Sequence, residues 1–263
     1  MGILNVTPDS FSDGGRFLSS DSAIAHGLQM AAEGADWIDV GGESTRPGAL
    51  PVSVDEELER VLPVVAGLAS RGLRVSIDTM KPAVAREAVR AGASLINDVT
   101  GWNDPEMGLV CAESGAAVCL MHMQGEPRTM QAKPTYANLV EEIRDFLVAR
   151  AELAQSLGIE SDRIYIDPGI GFGKTIEHNL DLLRHLAIFV KSGYPVLLGT
   201  SRKSFIGRIL GSDGEPLPTD ERLEGTLATQ AVAEAAGVAI LRVHDVQSAV
   251  RFSRMYRAIT QPD

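Results

Sequence analysis

Cysteine, positive charge and long apolar runs are all scarce in this chain. Only two cysteines occur in 263 residues. Cys111 and Cys119 show no C-x-x-C or histidine-rich spacing around them, which excludes a disulfide framework and a zinc site of the usual kind. No apolar run approaches the roughly 20 residues that span a bilayer, and the first residues lack a basic region followed by an apolar stretch and a cleavage site. A cytoplasmic protein with no membrane partner is expected. Basic residues are outnumbered, 24 against 35 acidic, giving a formal net charge of -11. With a pI near 5.0, the summed field repels phosphate polymers, so no nucleic-acid partner is expected and an anionic ligand needs a local cationic pocket.

What is present is a hydrophobic content of 44% at a mean hydropathy of +0.04, enough for one large core. A single domain over residues 1–263 is expected. Short apolar runs ending in a polar residue recur: Asn5 after Gly2-Ile3-Leu4, Asp39 after Trp37-Ile38, Asp78 after Val75-Ser76-Ile77, Asn97 after Leu95-Ile96, His122 after Val118-Cys119-Leu120-Met121, and Asp167 after Ile164-Tyr165-Ile166. The pattern predicts strands near 2–6, 37–41, 75–79, 95–99, 117–122, 164–168, 196–200 and 240–244, each followed by a helical segment. Eight such units are the number that closes an α/β (β/α)8 TIM barrel with its active site at the C-terminal ends of the strands; an open doubly wound sheet is the alternative. Ser53-Val54-Asp55-Glu56 reads as a capping box, Thr135 as the cap of a helix over 136–157, and Gly158 as its end. Pro63 predicts a kink or break within the apolar pattern 54–69. Runs 7–20, 42–52, 123–134 and 201–219 read as long loops on the active rim.

In a barrel, Asn5, Asp39, Asp78, Asn97, Asp98, His122, Asp167, Ser201, Lys203, Arg242 and His244 converge on one mouth. Asp78, Asn97 and Asp167 suit a flat heterocycle rich in N–H donors, while Arg46, Lys203, Arg242 and His244 suit an oxyanion. For Asp39 or Asp98 alone, capping of a following helix is an equal alternative. Asp167 reads as functional, because Pro168 and Gly169, Gly171 and Gly173 place it beside open backbone. Alternation puts Arg242 and His244 on one strand face. His26, His178 and His185 read as solvated or packing residues, and Lys174 as a solvated loop charge. Gly173-Lys174-Thr175 does not complete a P-loop, since the first glycine would fall at Pro168.

Four segments, Asn5 to Gly15, Gly42 to Gly48, Asp167 to Lys174 and Ser201 to Ser204, together resemble the dihydropteroate synthase family, in order and over nearly the whole chain. The resemblance implies a pterin-binding TIM barrel. It would condense 6-hydroxymethyl-7,8-dihydropterin diphosphate with 4-aminobenzoate to 7,8-dihydropteroate and diphosphate, a transfer of an alkyl group other than methyl. It also implies magnesium as cofactor with Asn5 as its contact, a homodimer, and inhibition by sulfonamides. By motif, Asp78, Asn97, Asp167 and Lys203 match the pterin set, with Met121 and Phe172 as apolar neighbours. Arg242 would lie near the ring and hold the diphosphate with Asn5 and His244, so that Asp167, Lys203, Arg242 and His244 are the expected catalytic residues. Thr45, Arg46, Pro47, Phe11 and Ser204 match the aminobenzoate pocket, which loops 7–20 and 42–52 would close. Ser201-Arg202-Lys203-Ser204 lacks the insertion found in sulfonamide-resistant relatives, so a drug-sensitive form is expected. Family members usually carry residues before Met-Gly-Ile-Leu-Asn, so a less well closed barrel floor is also expected. The alternatives are a pterin-binding methyltransferase serving a corrinoid, and a pterin-binding protein without turnover.

Overall fold

The protein is seen in a computed structural model that describes residues 1–7, 16–45 and 49–260, with only the backbone of 16–19. Eight parallel strands alternate with helices. The strands are β1 Gly2–Asn5, β2 Ile38–Gly41, β3 Val75–Asp78, β4 Leu95–Asp98, β5 Ala117–Met121, β6 Ile164–Asp167, β7 Leu197–Leu198 and β8 Ile240–Leu241. The helices are α1 Arg16–Ala32, α2 Val54–Ala69, α3 Pro82–Arg90, α4 Pro105–Ser114, α5 Leu139–Ser156, α6 Ile176–Arg184, α7 Leu186–Val190, α8 Ser204–Leu210, α9 Leu223–Ala236 and α10 Val246–Thr260.

β1 to β6 pair in sequence order, and β7 pairs with β8. Two single parallel bridges, Ile166 with Val196 and Gly2 with Val243, join these sheets into a ring. Hydrogen bonds from Ile3 N to Val243 O and from Val243 N to Met1 O, both 2.9 Å, make the β8–β1 seam. A ring leaves no sheet edge, although β7 and β8 are only two residues long.

Alternation along each strand divides the molecule into two cores. Outward residues such as Val40, Ile77, Ile96, Leu120, Ile166 and Leu198 pack into the layer under the helices. Inward residues Leu95, Cys119 and Leu197 fill the barrel with Met1, flanked by Trp37, Tyr165 and Ile240. The inward row above this plug is polar, and that row is the barrel mouth. At the opposite end a cavity of about 730 Å³ opens among Met1, Trp37, Arg74, Tyr165 and Gln230.

Local signals set most helix ends. Ser53 Oγ accepts from Glu56 N at 3.2 Å and starts α2. Gly158, at φ +92°, ends α5. Thr175 and His178 form a reciprocal capping box on α6, and the His178 ring packs edge-on against Tyr136, so it is a packing residue that also caps. Two expectations fail and a third fails in part. α2 is not broken at Pro63, whose ring faces solvent, because Val61, Val64, Val65 and Leu68 hold the helix to the core from the other face. Thr135 does not cap α5, which starts at Leu139; Glu142 Oε1 instead accepts from Ala137 N and Asn138 N at 2.8 and 2.6 Å. The run 201–219 is not all loop, since α8 lies within it, and α1 already begins at Arg16 inside the run 7–20.

Candidate active site

Register places the polar row. Asn5 lies beside Gly41, Gly41 beside Asp78, and Asp78 beside Asn97. Met121 lies beside Asp167. Asn97 faces inward and donates from Nδ2 to Asp39 Oδ2 at 3.2 Å. Asp98, one residue later, faces outward, where it accepts from Thr100 N and Oγ1, both at 2.8 Å, and from Trp102 N at 2.9 Å. Asp98 is thus a turn residue. Asp39 is no cap: it is wholly buried inside the barrel at the second position of β2.

Arg242 leaves β8 between two carboxylates, donating from Nε to Asp39 Oδ2 at 2.5 Å and from a terminal nitrogen to Asp78 Oδ2 at 2.6 Å. Burial first, and the Asp39, Glu57 and Asp98 charges after it, push Asp78 up to about 7 against the opposing pull of Arg242. His244, two residues on, is bound by Ser201, whose Oγ lies 3.1 Å from His244 N and 3.0 Å from its Nδ1. In this arrangement Arg242 engages the acids rather than reaching toward His244.

The glycine-rich segment after β6 forms the other wall. Asp167 Oδ1 accepts from Gly169 N at 2.7 Å. Gly169 is at φ +68°, and a Cβ there would stand 1.9 Å from His122 O, so no side chain fits. Gly171, at φ +83°, lets the Lys203 stem pass 2.9 Å from where its Cβ would be. Lys203 Nζ lies 4.4 Å from the centre of the Phe172 ring and donates to Ile170 O. Burial lowers Lys203 to about 8, with Arg242 adding to that and Asp167 and Asp78 opposing it. Asp167 is raised by burial and held back by Lys203, the Gly169 N–H, Lys174 and Arg242. Lys203 is aimed by its neighbour: Arg202 adopts φ +58°, with its guanidinium on Asp245 at 2.9 Å and its carbonyl accepting from Arg222 at 2.9 Å. Held contacts of this kind offset the roughly 1–3 kcal/mol cost of a left-handed non-glycine residue.

Lys174 corrects the sequence reading. It is 2% exposed, and its ammonium reaches His122 Nδ1 at 3.1 Å, His122 O at 3.3 Å and Phe172 O at 2.9 Å. Burial, then the Lys174 charge, lowers His122 to about 3, so the imidazole stays neutral, and the same burial holds Lys174 well below the ordinary lysine range. Asn179 was also missed: its Oδ1 accepts from Gly171 N and its Nδ2 donates to Thr175 O, at 2.7 and 2.8 Å. A buried amide on the apolar face of α6 is the signal that could have revealed it. Met121 is buried against Gly169, Thr45 and Phe172 are half-buried, and Ser204 is exposed at the start of α8. Phe11, Arg46 and Pro47 lie outside the described residues.

Over residues 1–244 the chain matches the family described as pterin binding enzyme. The dihydropteroate synthase of Escherichia coli is 47% identical over 259 residues, covering 98% of this chain and 90% of that protein. The chain belongs to the dihydropteroate synthase family. Solved family members superpose closely. The Xanthomonas albilineans enzyme with 4-aminobenzoic acid gives a TM-score of 0.92 at 45% identity, covering 100% of this chain and 93% of that one. With 7,8-dihydropteroate the same enzyme gives 0.89 at 42% identity, covering 100% and 94%. The Yersinia pestis family member, solved with a sulfonamide drug complex, gives 0.91 at 45% identity, covering 99% and 93%. The barrel is therefore the fold of the dihydropteroate synthase family.

Proposed function

We propose that this protein condenses 6-hydroxymethyl-7,8-dihydropterin diphosphate with 4-aminobenzoate, releasing diphosphate and 7,8-dihydropteroate, as a step of folate biosynthesis. The observation that carries the reading is the pairing of inward acceptors Asp78, Asn97 and Asp167 with the buried cations Lys203 and Arg242 in one barrel mouth, in a chain whose solved relatives include complexes with 4-aminobenzoic acid and 7,8-dihydropteroate. The acceptors fit the N–H edge of a reduced pterin, and the cations fit its oxygen and the departing diphosphate.

Breaking the methylene–oxygen bond leaves positive charge on the pterin methylene and negative charge on the diphosphate. The aromatic amine then forms the new nitrogen–carbon bond from its neutral lone pair and gives up a proton. Asp167, in a water-poor site, accepts from the pterin N–H edge and favours electron donation into the developing cation. Arg242 and His244 would supply donors to the opposite charge, Arg242 by turning part of its guanidinium from Asp39 and Asp78. Among the described residues no group of three or more His, Cys, Asp or Glu could cage a metal. A lone amide such as Asn5 fits magnesium that arrives on the diphosphate and keeps most of its waters. Bound there, the ion would neutralise leaving-group charge. The substitution is SN1-like, without a covalent enzyme intermediate, because the neutral aromatic amine is itself nucleophilic and captures the developing cation directly.

A homodimer in the cytoplasm completes the proposal. Exposed Ile209, Leu210, Val232, Met255 and Ile259 on α8, α9 and α10 support self-association, and no described helix is long and apolar enough to cross a membrane.

The deciding measurement is diphosphate release from the pterin diphosphate and magnesium, with and without 4-aminobenzoate. Aminobenzoate-dependent release that falls at least about 100-fold in Asp167→Asn is the expected result, since the loss removes charge stabilisation felt in the transition state. Methyltetrahydrofolate binding without diphosphate release would favour the methyltransferase, and pterin binding without product the non-catalytic protein. Sulfonamides are expected to inhibit competitively against aminobenzoate; turnover indifferent to them would refute the drug-sensitive reading.

A further inference from the structure

Asp39 holds two residues of the mouth from the row beneath it. It lies one inward row below Gly41, Asp78 and Asn97, level with Ser76 on β3, and it is wholly buried. Its Oδ2 accepts from Arg242 Nε at 2.5 Å and from Asn97 Nδ2 at 3.2 Å. The second bond runs from β2 across β3 to β4, and Ser76, the β3 residue in the same row, is small enough to leave that path open. Asp39 Oδ1 has no partner among the described residues, and neither has Ser76 Oγ. One oxygen of the carboxylate therefore makes both of its side-chain bonds.

That oxygen decides which way the Asn97 carboxamide is turned. A carboxylate oxygen paired with a guanidinium only accepts, so the Asn97 atom beside it must be the nitrogen; the reverse arrangement would set two oxygens 3.2 Å apart with no hydrogen between them. Arg242, bound also to Asp78 Oδ2 at 2.6 Å, keeps the carboxylate in place. Asn97 Oδ1 is the end left over. It takes no bond among the described residues, and unlike Asp39 Oδ1 it is not sealed from solvent. An unheld carboxamide could turn either its donor or its acceptor end to a ligand; held by Asp39, it turns the acceptor, matching the carboxylates of Asp78 and Asp167.

We infer that Asp39 is a specificity-determining residue: by fixing the Asn97 carboxamide it makes the mouth select a heterocycle edge rich in N–H donors and reject an edge that presents oxygen there. The inference rests on the synthase reading. Calorimetry on the full chain compares the affinity for 6-hydroxymethylpterin with that for 6-hydroxymethyllumazine, in which oxygen replaces the 2-amino group. Wild type is expected to prefer the pterin by at least about 100-fold, because an oxygen facing buried acceptors leaves them unpaired. Asp39→Leu frees the amide to turn and should cut that preference at least about 10-fold. Asp39→Asn should keep it to within about threefold, since its carbonyl oxygen takes the place of Oδ2 and its nitrogen the place of the oxygen that bonds to nothing. An unchanged ratio in Asp39→Leu, the mark of a merely structural role that weakens both ligands alike, overturns the inference alone. If Asp39→Leu does not fold, neutron diffraction from deuterium-exchanged wild-type crystals decides, because it distinguishes nitrogen from oxygen. Deuterium on the Asn97 atom that faces Asp39 supports the inference, and a bare oxygen there overturns it. Wild-type protein that binds neither heterocycle and releases no diphosphate overturns the synthase reading and the inference with it.

Discussion

Lys203 brings an ammonium into a closed space beside Phe172, Asp167 and Arg242, and burial has lowered its pKa to about 8. A lysine lowered in this way is charged below pH 8 and loses its charge as pH rises through about 8, well before an ordinary lysine would. Because kcat/KM reports the free enzyme, kcat/KM for the pterin diphosphate is expected to fall above about pH 8. In Lys203→Arg that limb should vanish, at a lower absolute rate, since guanidinium stays charged but does not match the ammonium in shape. A pH profile flat to pH 10 in the wild type would contradict the role of Lys203. Residues at strand ends, such as Asp78, Asn97 and Asp167, are legible in sequence because an apolar run stopping at a polar residue is a one-dimensional signal. Asp39 carries the same signal, and its burial inside the barrel decides between a mouth residue and a helix cap; Lys174 is not legible, because it is buried only where the chain folds back over His122, some 50 positions earlier in sequence.

At the scale of elements, strand order and the helix between each pair follow from local pattern, whereas breaks and caps are decided by neighbours. α2 is the informative case. Pro63 lacks a donor and crowds the preceding turn, yet apolar anchors before and after it keep one helix. The anchors outweigh a local cost that is still present. Pro63→Ala is therefore expected to stabilise the protein by about 1–2 kcal/mol, the helix gain being offset in part by a more flexible unfolded chain. A urea midpoint raised at unchanged slope would show it, and an unchanged or lowered midpoint would mean that α2 bends to relieve the proline. The missed start of α5 has the same origin, because Glu142 reaches back to backbone N–H groups that Thr135 was expected to serve.

For the whole molecule, the decisive feature is closure. β8 pairs with β1 through Gly2 and Val243, joining residues more than 240 positions apart. Neither half of a closed ring can lose its packing alone, so the single domain is expected to unfold in one transition. Trp37 near the floor and Trp102 after β4 report on different regions, and their fluorescence should change together with far-ultraviolet circular dichroism; separated transitions would show two folding units. By itself, the sequence determined the eightfold β/α alternation, the family and most of the polar residues at the strand ends, because periodicity, punctuation and motif order are properties of neighbours along the chain. Tertiary structure alone decided that Arg242 sits between Asp39 and Asp78, that Lys174 is buried while Asp98 serves a turn, and that Asp39 reaches across β3 to Asn97. Each of these depends on which distant segments the ring brings together, and on the burial that then sets the charge and partners of every group between them.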